Sequence, residues 1–260
     1  MYLDNMIKAT FLSRLAYKRP RRIKQELRAS QYCCVLINDI QIENPHKHLF
    51  DDDKTLRMLI IDDTNTNERF FVFRGSANIS NWITNFRFSK TSVNGGRSHT
   101  GFHLASNNCV EPIMDYRDSK KMLITTGHSL GGALSTGVME KCKLDYCRTI
   151  GSPKYGDDEY CLTYNSDRYE RIEHDLDPVP YMPPTALGYN TLGNLFYINR
   201  KKEIIINPSW HYMRRDSLIA RIKRRREGIK SIAYDHHFDL YLKHLNINHR
   251  KAKEKKNYDI

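Results

Sequence analysis

The chain has 260 residues, with 42 Lys and Arg against 30 Asp and Glu, a net charge of +12, and a mean hydropathy of −0.66. That length buries a sizeable core in one or two domains, and 16 Tyr with 10 Phe argue against general disorder. No stretch approaches the roughly 18 uninterrupted apolar residues of a membrane-spanning helix, which excludes an integral helical membrane protein. The charge is uneven: residues 1–28 hold 8 basic and 2 acidic side chains, residues 200–260 hold 17 and 7, and the body between them holds 17 and 21. A mildly acidic body with basic ends does not by itself name a nucleic-acid partner.

In chain order, the N-terminus shows no apolar run of the ~7–15 residues that a secretory signal needs. Instead, Met6, Ala9, Phe11, Leu12, Leu15 and Ala16 have a helical spacing that ends before Arg19-Pro20. Leu56–Ile61 and Phe70–Phe73, separated by polar residues 62–69, predict a hairpin. Ile79, Trp82, Ile83 and Phe86 fall at i, i+3, i+4 and i+7, one apolar stripe of a short helix. Met122–Thr126 predicts a buried strand, followed by Gly127 and a small-residue helix from Ala133 to Cys142. Tyr146–Gly151 and Tyr169–Glu173 read as further strands, and Leu195–Asn199 with Glu203–Ile206 as a second hairpin. Strands alternating with helices after residue 100 predict α/β layers around a mostly parallel sheet. Leu218, Ile219, Ile222, Ile229 and Ile232 form a partial apolar stripe, with Arg221, Lys223, Arg224, Arg225 and Lys230 largely off it. The leading expectation packs that stripe on the core and leaves the cations solvated; attraction to anionic phospholipid and a nucleic-acid or nuclear-localisation patch are the alternatives. Beyond Lys243 the chain turns polar and basic; residues 246–260 are expected to form a basic tail, frayed from His249 on, after a single domain over 1–245. The six cysteines form no C-x-x-C pair and are too sparse for a disulfide framework, which fits a reducing compartment.

The most informative stretch is Gly127-His128-Ser129-Leu130-Gly131, a G-x-S-x-G pattern directly after a strand and before a helix. A nucleophilic serine needs a sharp, strained turn to expose its hydroxyl. Glycines on both sides let strand and helix approach closely, and the helix N-terminus aims backbone N–H groups at a developing oxyanion. His128 adjoins the serine in sequence, but its neighbour's place on such a turn points elsewhere, so it reads as packing rather than as the base.

With this motif the sequence resembles the class 3 (fungal-type) lipase family of the α/β-hydrolase superfamily. The resemblance spans roughly residues 56–242 and rests on an ordered set of segments: FVFRGSANISNWITNF, HTGFHLA, TTGHSLGGAL, TIGSPKYGDDEY, RIEHDLDPVPYMPP and DHHFDLYL. It implies an α/β-hydrolase fold, with a mostly parallel central sheet flanked by helices and a short helical lid at about 77–88. The apolar face of that lid (Ile79, Trp82, Ile83, Phe86) would cover the site and meet lipid. It implies Ser129 as nucleophile, Asp177 before Pro178-Val179-Pro180 as the acid, and His236 as the base, with Tyr241 at the family's distance. Asp175 and His237 are the competitors. The chain order Ser…Asp…His agrees with α/β-hydrolases. Backbone N–H groups of Leu130 and Ser76 would form the oxyanion hole.

No cofactor and no metal is implied. His211, His244 and His249 match no motif and read as surface residues. The chain departs from the family pattern at Gly188-Tyr189-Asn190-Thr191, where Thr191 stands in place of a histidine.

The expected function is a serine carboxylic-ester hydrolase, a lipase cleaving acylglycerol or phospholipid esters. The alternatives are a non-lipid esterase of the same family and an inactive hydrolase fold serving as a basic membrane- or nucleic-acid-binding module. A lipid or other ester substrate and peripheral contact with an anionic membrane surface are the expected partners, with nucleic acid disfavoured. With neither an evident signal nor a disulfide framework, an intracellular or host-cell cytoplasmic setting is favoured over secretion.

Overall fold

The computed structural model describes residues 2–28, 30–41, 55–76, 88–226 and 234–258. The expected lid side chains Ile79, Trp82, Ile83 and Phe86 lie outside the described residues, as do Ile229, Lys230 and Ile232.

An eight-stranded sheet organises the chain in the order β1 (Tyr32–Gln41), β2 (Thr55–Asp63), β3 (Glu68–Phe73), β6 (Met122–His128), β7 (Tyr146–Ile150), β8 (Tyr169–His174), β9 (Asn194–Ile198) and β10 (Ile204–Ile206). The strands from β3 to β9 run parallel, and β1, β2 and β10 add antiparallel partners at the two ends. Both hairpins expected from the sequence form, as β2–β3 and β9–β10. A second, two-stranded sheet pairs β4 (Lys90–Val93) with β5 (Gly96–His99).

Alternation along each strand divides the core. On β2 and β3, Met58, Ile60, Phe71 and Phe73 face a layer containing Phe102, Ala105, Leu134 and Val138, supplied by the helices Thr100–Asn107 and Leu130–Met139. Their neighbours Leu59, Ile61, Phe70 and Val72 face Leu12, Leu15, Ile23 and Leu27 from the helices Tyr2–Leu15 and Pro20–Leu27. The period of two thus puts every second residue on the opposite face, and both faces are apolar because helices cover both. The C-terminal helix Phe238–Tyr258 joins the second layer, where Tyr241 and Leu245 pack with Met6, Ile172 and Ile198.

The first helix ends at Leu15, ahead of Arg19-Pro20 as expected, and Pro20 starts the next at its first turn, where a missing N–H costs nothing. The segment expected to fray from residue 249 instead continues this last helix to Tyr258; Lys, Arg, Glu and Ala between 250 and 256 are strong helix formers.

Candidate active site

The parallel strands end on one edge of the sheet, and the loops leaving β3, β6, β7 and β8 gather the polar groups predicted from the sequence. Ser129 follows β6 with φ 60° and ψ −131°, a positive-φ conformation that a non-glycine residue adopts only when its surroundings enforce it. The enforcement is visible. A Cβ on Gly127 would collide with the backbone of Gly131, and one on Gly131 with the carbonyl of Phe73, so only glycine lets helix, elbow and β3 meet. Ser129 N donates to the Ile150 carbonyl at 2.9 Å, tying the elbow to β7. Leu130 is the first residue of the helix, so its N–H has no intrahelical acceptor. Ser76 is half-buried, three residues beyond the end of β3.

Asp177 is fully buried in the loop after β8. Its carboxylate receives His236 Nδ1 at 2.8 Å on Oδ2 and 3.0 Å on Oδ1, the Tyr241 hydroxyl at 2.5 Å on Oδ2, and the Val179 N–H at 2.9 Å on Oδ1. With Nδ1 on a carboxylate, the His236 ring presents Nε2 on its other side. His236 Nε2 and Ser129 Oγ are both buried and lack a hydrogen-bond partner among the described residues. The competitors are placed elsewhere. Asp175 pairs with His174 Nδ1 at 2.7 Å and Lys202 Nζ at 3.5 Å. The exposed His237 lies beside Asp239, at 3.5 Å, and against the Phe238 ring.

His128 does more than pack. Its Nε2 lies 2.7 Å from the His236 main-chain carbonyl, so Nε2 must carry the proton and donate. Nδ1 is then an acceptor, and the Tyr17 hydroxyl donates to it at 2.9 Å while itself accepting from Gly75 N at 3.1 Å. A continuous chain of hydrogen bonds therefore runs from the loop after β3, through Tyr17 and His128, to the backbone of His236. Burial, reinforced by the neighbouring His236 ring, pushes the His128 pKa well below the ordinary histidine value and keeps the ring neutral. No periodicity or motif marks Tyr17 for this place; it follows the N-terminal helix as an ordinary aromatic residue.

A second polar cluster adjoins the first. Among the described residues, His174 Nδ1 and carboxylate oxygens of Asp175 and Asp235 lie within 4.8 Å of one another, the one group that could hold a cation. Lys202 stands beside Asp175 and Arg224 pairs with Asp235, so the protein already supplies the positive charge. We read it as an ion-pair cluster. Burial raises the Asp175 pKa, but its His174 and Lys202 partners outweigh that and hold it below the ordinary aspartate value. His244, expected at the surface, is buried and stacks on His174 with ring centroids 5.2 Å apart. It lies on the inward side of the last helix, a placement that tertiary packing decides. Among the other two, His211 is exposed and His249 pairs with Asp4 at 2.7 Å. All six cysteines are free.

Residues 70–187 match the family model for lipase (class 3). A secreted mono- and diacylglycerol lipase from Fusarium solani is 34% identical over 141 residues, 48% of this chain and 42% of that protein. A lipase from Rhizomucor miehei is 30% identical over 207 residues, 66% of this chain and 56% of that protein. The chain thus spans about half the length of the curated relatives it matches. The solved Rhizomucor miehei triacylglyceride lipase superposes with a TM-score of 0.63 at 23% identity, covering 76% of this chain and 80% of that one. That likeness gives the fold as the α/β-hydrolase arrangement expected above. The relative named as secreted overturns the preference for an intracellular setting, which rested on the lack of an evident signal and of a cysteine framework. The matched segment, the relatives and the fold agree: over residues 70–187 the chain matches the class 3 lipase family.

Proposed function

We propose that the chain is a serine carboxylic-ester hydrolase, a lipase acting on acylglycerol or phospholipid esters with Ser129 as nucleophile, His236 as general base and Asp177 as its orienting acid. One observation carries the reading: a buried His236–Asp177 pair whose Nε2, like the hydroxyl of the strained Ser129, has no hydrogen-bond partner among the described residues. His236 Nε2 takes the hydroxyl proton as Ser129 Oγ attacks the ester carbonyl. Asp177 fixes the tautomer through Nδ1–H and stabilises the imidazolium that forms. The alkoxide of the tetrahedral intermediate meets the N–H groups of Leu130 and Ser76, each worth about 2.7–4 kcal/mol in comparable sites. Collapse returns the proton to the leaving alcohol and leaves an acyl-serine, which water cleaves by the same steps in reverse order of groups. The sequence reading of residues 77–88 as a lid over this site belongs to the same proposal.

The lipid reading rests on the relatives, which are named as lipases. The net charge of +12 favours a lipid surface that carries negative charge over a neutral one. Ser129→Ala is expected to abolish ester hydrolysis and fluorophosphonate labelling while leaving the thermal transition in place; turnover retained by that variant refutes the assignment. A panel of triacylglycerol, phospholipid and short-chain soluble esters separates a lipase from a non-lipid esterase. Preference for the soluble esters alone overturns the lipid reading.

A further inference from the structure

The helix Trp210–Arg226 is packed the wrong way round for an ordinary surface helix. Its inward stripe is Met213, Asp216, Ser217, Ala220 and Arg224, small or polar apart from the methionine. Asp216, Ser217 and Arg224 bind by hydrogen bonds and ion pairing rather than by apolar contact. Asp216 Oδ2 accepts from the Tyr197 hydroxyl at 3.2 Å and from Arg200 N at 2.9 Å, Ser217 Oγ donates to the Asp175 carbonyl at 2.7 Å, and Arg224 pairs with Asp235. The aliphatic residues expected to pack on the core face outward instead: Leu218 is 59% exposed, Ile222 48% and Ile219 36%, with Trp210 at 59% near the start of the helix. At 100° per residue Ile222 lies opposite the buried stripe, with Leu218 and Ile219 on either side of it. Exposed Arg214, Arg215, Arg221 and Arg225 are interleaved with them, and Arg214 lies over the Trp210 ring at 5.1 Å.

We propose that this outward face docks on an anionic lipid surface, an inference that rests on the lipase reading for its biological sense but on the helix for its physics. Exposed aliphatic side chains gain by entering the acyl boundary of a lipid layer, and arginines spaced among them meet phosphate groups at the depth where the aliphatics end. A second copy of the chain is a poor occupant, because two such arginine-bearing faces repel. Nucleic acid accounts for the arginines but leaves Leu218, Ile219 and Ile222 exposed. The position of the helix adds the consequence. Ser217 is bonded two residues before Asp177, and Arg224 is bonded to the residue before His236. A lipid layer held on this face therefore lies against the element that braces both loops of the proposed triad.

The test is co-sedimentation of the full chain, carried as Ser129→Ala so that lipid is not consumed, with phosphatidylcholine vesicles with and without phosphatidylserine. Binding is expected only with phosphatidylserine and weakens as salt rises. Replacing Arg214, Arg215 and Arg225 by Gln lowers binding by about fivefold per arginine at low salt. Leu218→Ser with Ile222→Ser lowers it by about tenfold at any salt. The same substitutions in the Ser129 chain leave hydrolysis of a soluble short-chain ester unchanged, which also reports that they fold. Equal binding to both vesicle types, unchanged binding by the variants, or retention on duplex DNA in place of vesicles overturns the proposal. If the unsubstituted chain binds phosphatidylserine vesicles as described yet hydrolyses no ester, the docking face stands and the enzymatic reading falls.

Discussion

His236 with Asp177 and His174 with Asp175 are two buried histidine–aspartate pairs whose carboxylates stand two residues apart on the loop after β8. Their surroundings differ. Asp177 receives two further donors, the Tyr241 hydroxyl and the Val179 N–H, and its histidine ends in an Nε2 with no partner among the described residues. Asp175 sits between His174 and Lys202, and His174 stacks on a third ring, His244, with Lys202 Nζ 3.4 Å from its Nε2. The Asp175 oxygens and His174 Nδ1 are close enough to pair electrostatically but lack an aligned hydrogen bond among the described residues. A histidine–aspartate pair is therefore a general device for holding a ring. What makes one pair suited to proton transfer is a fully bonded carboxylate behind the ring and an open nitrogen in front of it. Tyr241 joins the two, since its hydroxyl donates to Asp177 and accepts the N–H of His174 at 3.2 Å.

The sharpest way to break this comparison is to make the same change in both pairs. Asp177→Asn is expected to lower kcat by about ten-thousand-fold on a soluble ester, because an amide can no longer hold the productive tautomer. Asp175→Asn is expected to leave kcat within a few-fold and to act on the thermal transition instead. Similar losses of turnover in both variants would show that the pairs work as one unit. Tyr241→Phe comes next. It removes a charge-assisted bond to a buried carboxylate and should cost about 1–3 kcal/mol of stability, with roughly a tenfold fall in kcat. Urea denaturation and steady-state kinetics on the same preparation measure the two effects together. A purely structural tyrosine would move the first and not the second.

His128→Phe keeps the ring against His236 but loses both hydrogen bonds that tie Tyr17 to the His236 backbone. The expected result is about a tenfold lower kcat with KM unchanged, the pattern of a positioning residue. Partial recovery in His128→Asn, which retains an N–H donor, separates the bond from the ring. A change in KM alone would assign His128 to substrate contact.

The elbow was legible in the sequence because its requirements are local: a serine at positive φ needs glycines at fixed offsets, and those offsets survive as letters. The same holds for the β2–β3 and β9–β10 hairpins, whose apolar runs flank polar turns. Asp177 and His236 were reachable only through the resemblance, since nothing in the composition of their loops distinguishes Asp177 from Asp175 or His236 from His237. Tyr17 and His244 were not reachable at all. Each lies next to the site because a helix docks on the sheet at a particular angle, and that angle is a sum over many contacts. The helix Trp210–Arg226 shows the converse: Leu218, Ile219 and Ile222 do share one face, but period alone does not say which side faces the core. Asp216, Ser217 and Arg224 found partners in β9 and in the loops of the site, and those bonds turned the aliphatic residues outward.

The smallest expected effect concerns pH, and it rests on the two buried rings His244 and His128. Burial, aided by His174, Lys202 and Lys243 and opposed by Asp175, lowers the His244 pKa to about 4, and burial also depresses that of His128. Both rings are neutral in the folded chain at a pH where the unfolded chain, with histidines near 6.5, begins to take up protons. The unfolded state therefore binds more protons throughout the window from about 6.5 down to about 4. The stability these rings permit is complete above that window and is lost as pH falls through it. Paired carboxylates such as Asp62 and Asp63, which burial pushes up but Arg69, Lys121 and Lys8 hold below the ordinary aspartate value, lose most of their contribution at lower pH. Denaturation midpoints followed from pH 7 to 4.5 should fall, and His244→Phe, which keeps the stack on His174 but takes no proton, should flatten the slope by the equivalent of one proton. An unchanged slope would mean that His244 takes up its proton at the same pH in the folded chain as in the unfolded one. The second cluster would then hold an additional cation against Asp175 and Asp235, in place of the neutral stacked ring described above.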